Sequence, residues 1–225
     1  MTHLLDRPIW SALDTRHAYF AGGGALARRY PAAVSPFVTG CDHSPEAVAA
    51  MAGLMGEGED ISVVEVDPPP APAGISETRL PLFQMVWDSF PEVGETAFDI
   101  RPLGEDDAAE MLALATLTKP GPFRARTHTM GRFLGVREGG KLIAMAGERL
   151  HVTGFHEISA VCTHPDWQGR GLGAALMKAV GARMIQEGDQ PFLHTYASNA
   201  TAIELYRKLG FTVRANLVHA LWKRA

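Results

Sequence analysis

The sequence predicts an α/β protein of the α+β type with a mixed, mostly antiparallel sheet, and three observations carry that prediction. From about residue 97 onward, period-two and period-3.6 hydrophobic runs alternate in the order β-α-β-β-β-α-β-α-β. Three of those strands follow one another through short connections, as antiparallel neighbours do. The longest helical run, 171 to about 187, stands between two strands, and a crossover of that kind makes the flanking strands a parallel pair.

Each element has a local reason. Asp6 and Pro8 open a helix with Ile9, Leu13 and His17 on one side, and Gly22 to Gly24 are expected to stop it. Ser44 and Pro45 repeat that opening signal before EAVAAMAGLM, which ends at Gly56, and the β-branched run ISVVEV (61 to 66) reads as a strand. DPPPAPAG (67 to 74) reads as a linker, polyproline or exposed loop. No element is assigned from 75 to 96, so residues 1 to 96 are taken as a smaller N-terminal α/β region and 97 to 225 as a second unit.

In that second unit FDIRPL is a strand, and EDDAAEMLALATL is a helix whose acidic first turn suits the helix dipole. FLGVRE, KLIAMAGERLHV and HEISAVCTH are three successive strands, with a hairpin at Glu138-Gly139-Gly140-Lys141. Leu172, Leu176, Ala179 and Val180 share a face of the next helix, which Gly188 ends. FLHTYA (192 to 197) is a strand, NATAIELYRKL a short helix stopped by Gly210, and FTVRANLVHALWKR one or two final strands.

Composition excludes several function classes. A formal net charge of -4 without any Lys/Arg block argues against a nucleic-acid partner, which needs a clustered basic face. The first ten residues lack a signal-peptide pattern and no apolar run is long enough to span a bilayer, so no membrane association is expected. Cys41 and Cys162 are far apart and form no ligand-spaced cluster, which fits a reducing cytoplasm and neither a disulfide framework nor structural zinc.

The segment THPDWQGRGLGAALMKAV (163 to 180) carries the chemistry. Glycines at a helix opening let backbone N–H groups approach an anion. Gly169, Gly171 and Ala174 satisfy the dinucleotide pattern G-x-G-x-x-A, but Pro165 to Gln168 make the strand-to-glycine turn too long, and too little chain follows for the remaining βαβ units. The nucleoside-triphosphate pattern G-x-x-x-x-G-K-[ST] is absent. Gln168-x-x-Gly171-x-Gly173 after His164-Pro165 resembles the acyl-CoA signature of the GNAT superfamily of N-acetyltransferases. Asn199, Ala202 and Tyr206, in the spacing N-x-x-A-x-x-x-Y and followed by Lys208-Leu209-Gly210-Phe211, are similar to a second stretch of that family.

The resemblance covers roughly 97 to 225 and implies a GNAT fold, acetyl-CoA as co-substrate and no metal. It implies that amides of Gln168, Gly169, Arg170, Gly171, Leu172 and Gly173 wrap the coenzyme's pyrophosphate, with Arg170 at the rim. It implies further that backbone at Val161, Cys162 and Thr163 pairs with the pantetheine arm, that an N–H near Val161 faces the thioester carbonyl, and that Asn199 touches the coenzyme. Seven residues put Tyr206 two helical turns from Asn199 on the same face, and the resemblance makes Tyr206 the acid for the departing thiolate. Glu157 is the candidate base, four residues before Val161 on the same strand face; a solvated carboxylate at a strand end is the other reading. For Asn199 the other reading is a helix cap, for Tyr206 a half-buried core aromatic, and for Cys162 a small apolar strand residue.

If 151 to 164 is largely one strand, His156 and His164 share one parity and His151 the other, which gives no compact metal site. The acceptor is expected to be a small-molecule or peptide amine bound near LTKPGPFRARTHTM (117 to 130), where Lys119, Arg124 and Arg126 would attract a carboxylate. Residues 1 to 96 are open to three roles: covering the acceptor cleft, a diverged copy of the fold, or contacts in a homodimer. A non-catalytic acyl-CoA-binding regulatory module is the alternative function.

Overall fold

The structure is a computed structural model and describes residues 3–88 and 96–224. Eight strands form one sheet in the order β4-β11-β5-β10-β9-β8-β7-β6, where β4 is Ile61–Glu65, β5 Ile75–Trp87, β6 Ile100–Leu103, β7 Phe133–Glu138, β8 Lys141–Val152, β9 Phe155–Thr163, β10 Gln190–Tyr196 and β11 Phe211–Arg224. Every neighbouring pair is antiparallel except β9 and β10. The predicted order from 97 onward is present element for element, and the last run is a single strand with a register shift between Val213 and Ala215.

Two strands of this sheet come from before residue 97. β5 lies between β10 and β11, and β4 forms one edge, so residues on both sides of that position build one sheet. Residues 89–95, next to the expected boundary, lie outside those described. Pro81 stands within β5 just before the stretch paired with β10, which runs from Leu82 to Val86, so a missing amide there breaks none of those pairs.

Helices cover both faces. The longest, α4 (Leu172–Gln186), packs Leu172, Leu176, Met177, Val180 and Met184 against Met85, Leu134, Val136, Ile158, Leu193 and Phe211. All five of its contact residues are at most 2% exposed, so each contributes roughly 1.5–3 kcal/mol as an upper estimate. On the other face α1 (Pro8–Asp14) packs Ile9 and Leu13 on Leu82, Val86, Leu150 and Phe192. Beside it α3 (Ala108–Thr118) packs Met111, Leu114 and Ala115 on Phe133, Met145 and Cys162. α2 (Pro45–Gly53) is capped by Ser44, whose Oγ accepts from the Ala47 amide at 3.2 Å.

The glycines after α1 differ from expectation. α1 ends at Asp14, and Gly22–Gly23 form β1, which pairs with β2 (Ala27–Arg29) and through it with β3 (Val38–Gly40) in a small separate sheet. A Cβ on Gly23 would stand 2.4 Å from the Ala27 carbonyl oxygen, so close strand pairing explains that glycine better than a helix stop. The 138–141 hairpin is as predicted: Glu138 pairs with Lys141, and Gly139 and Gly140 have φ of +54° and +82°, as a type I′ turn requires.

Candidate active site

The parallel pair opens into a cleft. β9 and β10 are paired only from Phe155 to Glu157 and from Gln190 to Phe192, after which each runs on without the other. The cause is a bulge in β9: opposite β8, Gly147 faces Ser159 while Met145 faces Cys162, so one residue of β8 spans Ala160 and Val161. Ala160 takes φ +52°, a left-handed conformation that costs a residue with a Cβ roughly 1–2 kcal/mol. A cavity of about 640 Å³ fills the opening.

One end of the cavity is the glycine turn. Gly169 and Gly171 have φ of +75° and +84°, conformations that favour glycine, and a Cβ at either would stand in open space. Gly171 is the N-cap of α4, and the amides of Gly169 through Ala174 make no backbone hydrogen bond among the described residues. A row of free N–H donors at the positive end of a 15-residue helix is an anion cradle. Gln168 departs from the expected set, since its amide donates to Pro165 O at 3.3 Å and its side chain to Thr163 O. Arg170 lies over the Trp167 ring at 4.4 Å, donates to Asp166 O, and does not border the cavity.

Val161, Cys162 and Thr163 line the middle of the cavity, as do Asn199 and Tyr206. Asn199 caps α5 (Ala200–Lys208), its Oδ1 accepting from the Ala202 amide at 3.2 Å, and it faces the cavity as well. Burial pushes the Tyr206 phenol up to about 12, so it keeps its proton and can donate it. Burial likewise pushes the Cys162 thiol up to about 11, which suits an apolar strand residue and no nucleophile.

Glu157 is not placed as a base. It is fully buried and lies outside the cavity lining. Its Oε2 accepts from Arg149 Nε at 2.8 Å and the Leu150 amide at 3.3 Å, and its Oε1 from Arg149 Nη2 at 2.6 Å and His194 Nδ1 at 2.7 Å. Burial alone would raise its carboxyl, but Arg149 and then His194 outweigh it and hold the group well below the usual range. A carboxylate with both oxygens so occupied argues against proton abstraction near neutral pH. Counter to expectation, Glu157 does not share a face with Val161: the bulge shifts the strand parity, and Val161 packs with Ile158 on the α4 side. The sequence was also silent about the cation opposite Glu157.

The histidines are arranged otherwise than one continuous strand would give. Thr153 and Gly154 turn the chain between β8 and β9, making His151 and His156 direct cross-strand partners. Their rings stack with centroids 4.0 Å apart and planes 5° apart, and His151 Nε2 is 2.7 Å from Asp189 Oδ2. These three residues lie close enough to be considered as metal ligands, but parallel stacked imidazoles do not aim their in-plane lone pairs at one point. His164 stands apart, its Nδ1 accepting from the Asp166 amide.

Of the three cations in 117–130, only Lys119 borders the cavity. Arg124 donates to Ala32 O and pairs with Glu59, and Arg126 pairs with Glu105. The far end of the cavity is made by residues that the sequence reading missed: Phe37, Val64 and Leu82 from before residue 97, with Arg149, His194, Tyr196 and His219. The alternation His194-Thr195-Tyr196 on a strand leaving its parallel partner was the available signal.

Residues 133–222 match the family described as FR47-like protein. Relatives named mycothiol acetyltransferase include those of Corynebacterium aurimucosum, 35% identical over 32% of this chain and 23% of that protein, and Saccharomonospora viridis, 32% identical over 57% and 43%. The chain spans less than half the length of these curated relatives. A crystal structure from Novosphingobium aromaticivorans, described as an acetyltransferase of the GNAT family, is 40% identical over the whole of both chains with a TM-score of 0.92. A GCN5-related N-acetyltransferase from Kribbella flavida shares the fold at 16% identity and a TM-score of 0.66, over 100% of this chain and 97% of that one.

Proposed function

Because the chain belongs to the GNAT family of acetyltransferases, we propose that it transfers the acetyl group of acetyl-CoA to a primary amine by direct attack. The observation that carries this reading is one continuous cavity joining the free amides at the start of α4, the unpaired edge of β9 at Val161 and the Tyr206 hydroxyl. The first suits a pyrophosphate, the second an extended amide-bearing arm added as a strand, and the third a departing thiolate.

The chemistry follows from that order along the cleft. Amides of Gly169 to Gly173 hold the diphosphate, and the absence of a Cβ at Gly171 and Gly173 allows close approach. The Val161 N–H, re-aimed by the bulge, stabilises the oxyanion as nitrogen attacks the thioester carbon. Tyr206 gives its proton to the thiolate, and no acyl-enzyme forms. Phe37, Val64 and Leu82 close the acceptor end, which gives residues before 97 a share in selecting the amine.

Thiol release from acetyl-CoA, measured over a panel of alkylamines, amino acids and a mycothiol-type acceptor, tests the reading, with calorimetry for coenzyme binding. Tyr206→Phe is expected to lower kcat by about 10²-fold with little change in coenzyme affinity. Coenzyme binding without turnover on any amine would instead make this an acyl-CoA-binding module, and no binding at all would overturn both.

A further inference from the structure

The attacking amine must lose a proton, and the buried, ion-paired Glu157 is badly placed to take it. Another chain of polar groups does reach the cavity. Tyr196, at the end of β10 where that strand has left β9, lines the acceptor end with its hydroxyl 3.0 Å from His219 Nδ1. On the far side of that ring, His219 Nε2 is 2.9 Å from Ser62 Oγ, and Ser62 is 1% exposed. With the Nε2 proton assigned to the bond with Ser62, Nδ1 keeps a lone pair that accepts from the phenol.

We propose that Tyr196 and His219 form the proton exit of this acetyltransferase, the Tyr196 oxygen receiving the amine proton as its own passes to His219 Nδ1. The inference rests on the acetyl transfer proposed above. As the N–C bond forms, the carbonyl π pair moves onto oxygen and the nitrogen becomes strongly acidic. Its proton goes to Tyr196 Oη, the phenolic proton goes to His219, and Ser62 holds the resulting imidazolium through its oxygen. Collapse re-forms the carbonyl and breaks the C–S bond, and the thiolate takes the Tyr206 proton. Solvent later returns the His219 proton to the Tyr206 phenolate, so the cycle closes on amide and free thiol.

The surroundings of His219 fit this use. Burial first, then Arg149 and His194, pull its imidazole down to about 4, so it is neutral and able to accept near pH 7. The groups that face it are Tyr196, Ser62, Arg149 and His194, the last two tied to Glu157. So weak a base serves only after attack, when the nitrogen has become acidic. Tyr196 would touch the substrate and is the catalytic partner; His219 acts through it as a positioning residue.

The test compares wild type, Tyr196→Phe and His219→Gln on a primary alkylamine and on hydrazine, whose weak basicity lightens the demand for proton removal. Both variants are expected to lower kcat on the alkylamine at least tenfold with KM for acetyl-CoA within twofold, and to lose much less on hydrazine. Tyr196→Phe keeps the ring and its packing, and Ser62→Ala, expected to cost less than His219→Gln, tests the far end if that variant folds poorly. Equal loss on both amines, or Tyr196→Phe at the wild-type rate, overturns the relay alone. A wild type that binds acetyl-CoA and acetylates nothing overturns the function on which it rests.

Discussion

Replacing Glu157 with Gln separates charge pairing from proton abstraction. The side chain is fully buried, and its two contacts to Arg149, at 2.8 and 2.6 Å, neutralise an arginine that is itself only 8% exposed. Removing one partner of such a pair strands the other charge, which costs about 3–5 kcal/mol. For a chain of this length roughly 2 °C of melting temperature goes with each kcal/mol, so a fall of about 6–10 °C is expected. Because pairing depresses the folded-state carboxyl, its stabilisation is complete above the unfolded value of 4.5 and is lost progressively as pH falls below it. Denaturant titrations of wild type and variant at pH 7 and at pH 4 therefore check both size and sign: the gap should be wide at pH 7 and narrower at pH 4. A variant within 0.5 kcal/mol of wild type at pH 7, yet at least a hundredfold slower on alkylamines at unchanged KM, would refute this reasoning and restore Glu157 as the base.

Two further substitutions probe the cleft. Gly171→Ala meets no protein atom within 4 Å but sits at φ +84°, so it should cost about 1 kcal/mol of stability while weakening coenzyme binding tenfold or more by calorimetry. Ala160→Val places a β-branched side chain at φ +52° and should lower stability by at least about 1–2 kcal/mol in urea titration; an unchanged midpoint would mean that the bulge is not held as described.

The parts legible in the sequence were those whose signals are local. The glycine turn, the 138–141 hairpin and the Asn199–Tyr206 spacing each depend on residues within one or two turns of chain, and each is found where the pattern put it. β5 went unread because Pro81 interrupts its pattern and because its partners are β10 and β11, far along the chain. The bulge at Ala160 leaves no trace in residue type, since the strain is met by the surrounding sheet. Glu157 shows the same limit: its neighbours in sequence are strand residues, and what decides its chemistry is a cation on the adjoining strand.

The central place of β5 bears on how the molecule is made. At about 5–20 residues per second, ribosomal synthesis takes about 6–27 s to go from Trp87 to the β11 residues that must flank it. Through that interval Phe83, Met85 and Val86 lack the β10 and β11 residues with which they pair. A nascent chain so arranged invites chaperone attendance, and its slowest folding event should be the late insertion of β11 beside a strand that emerged long before.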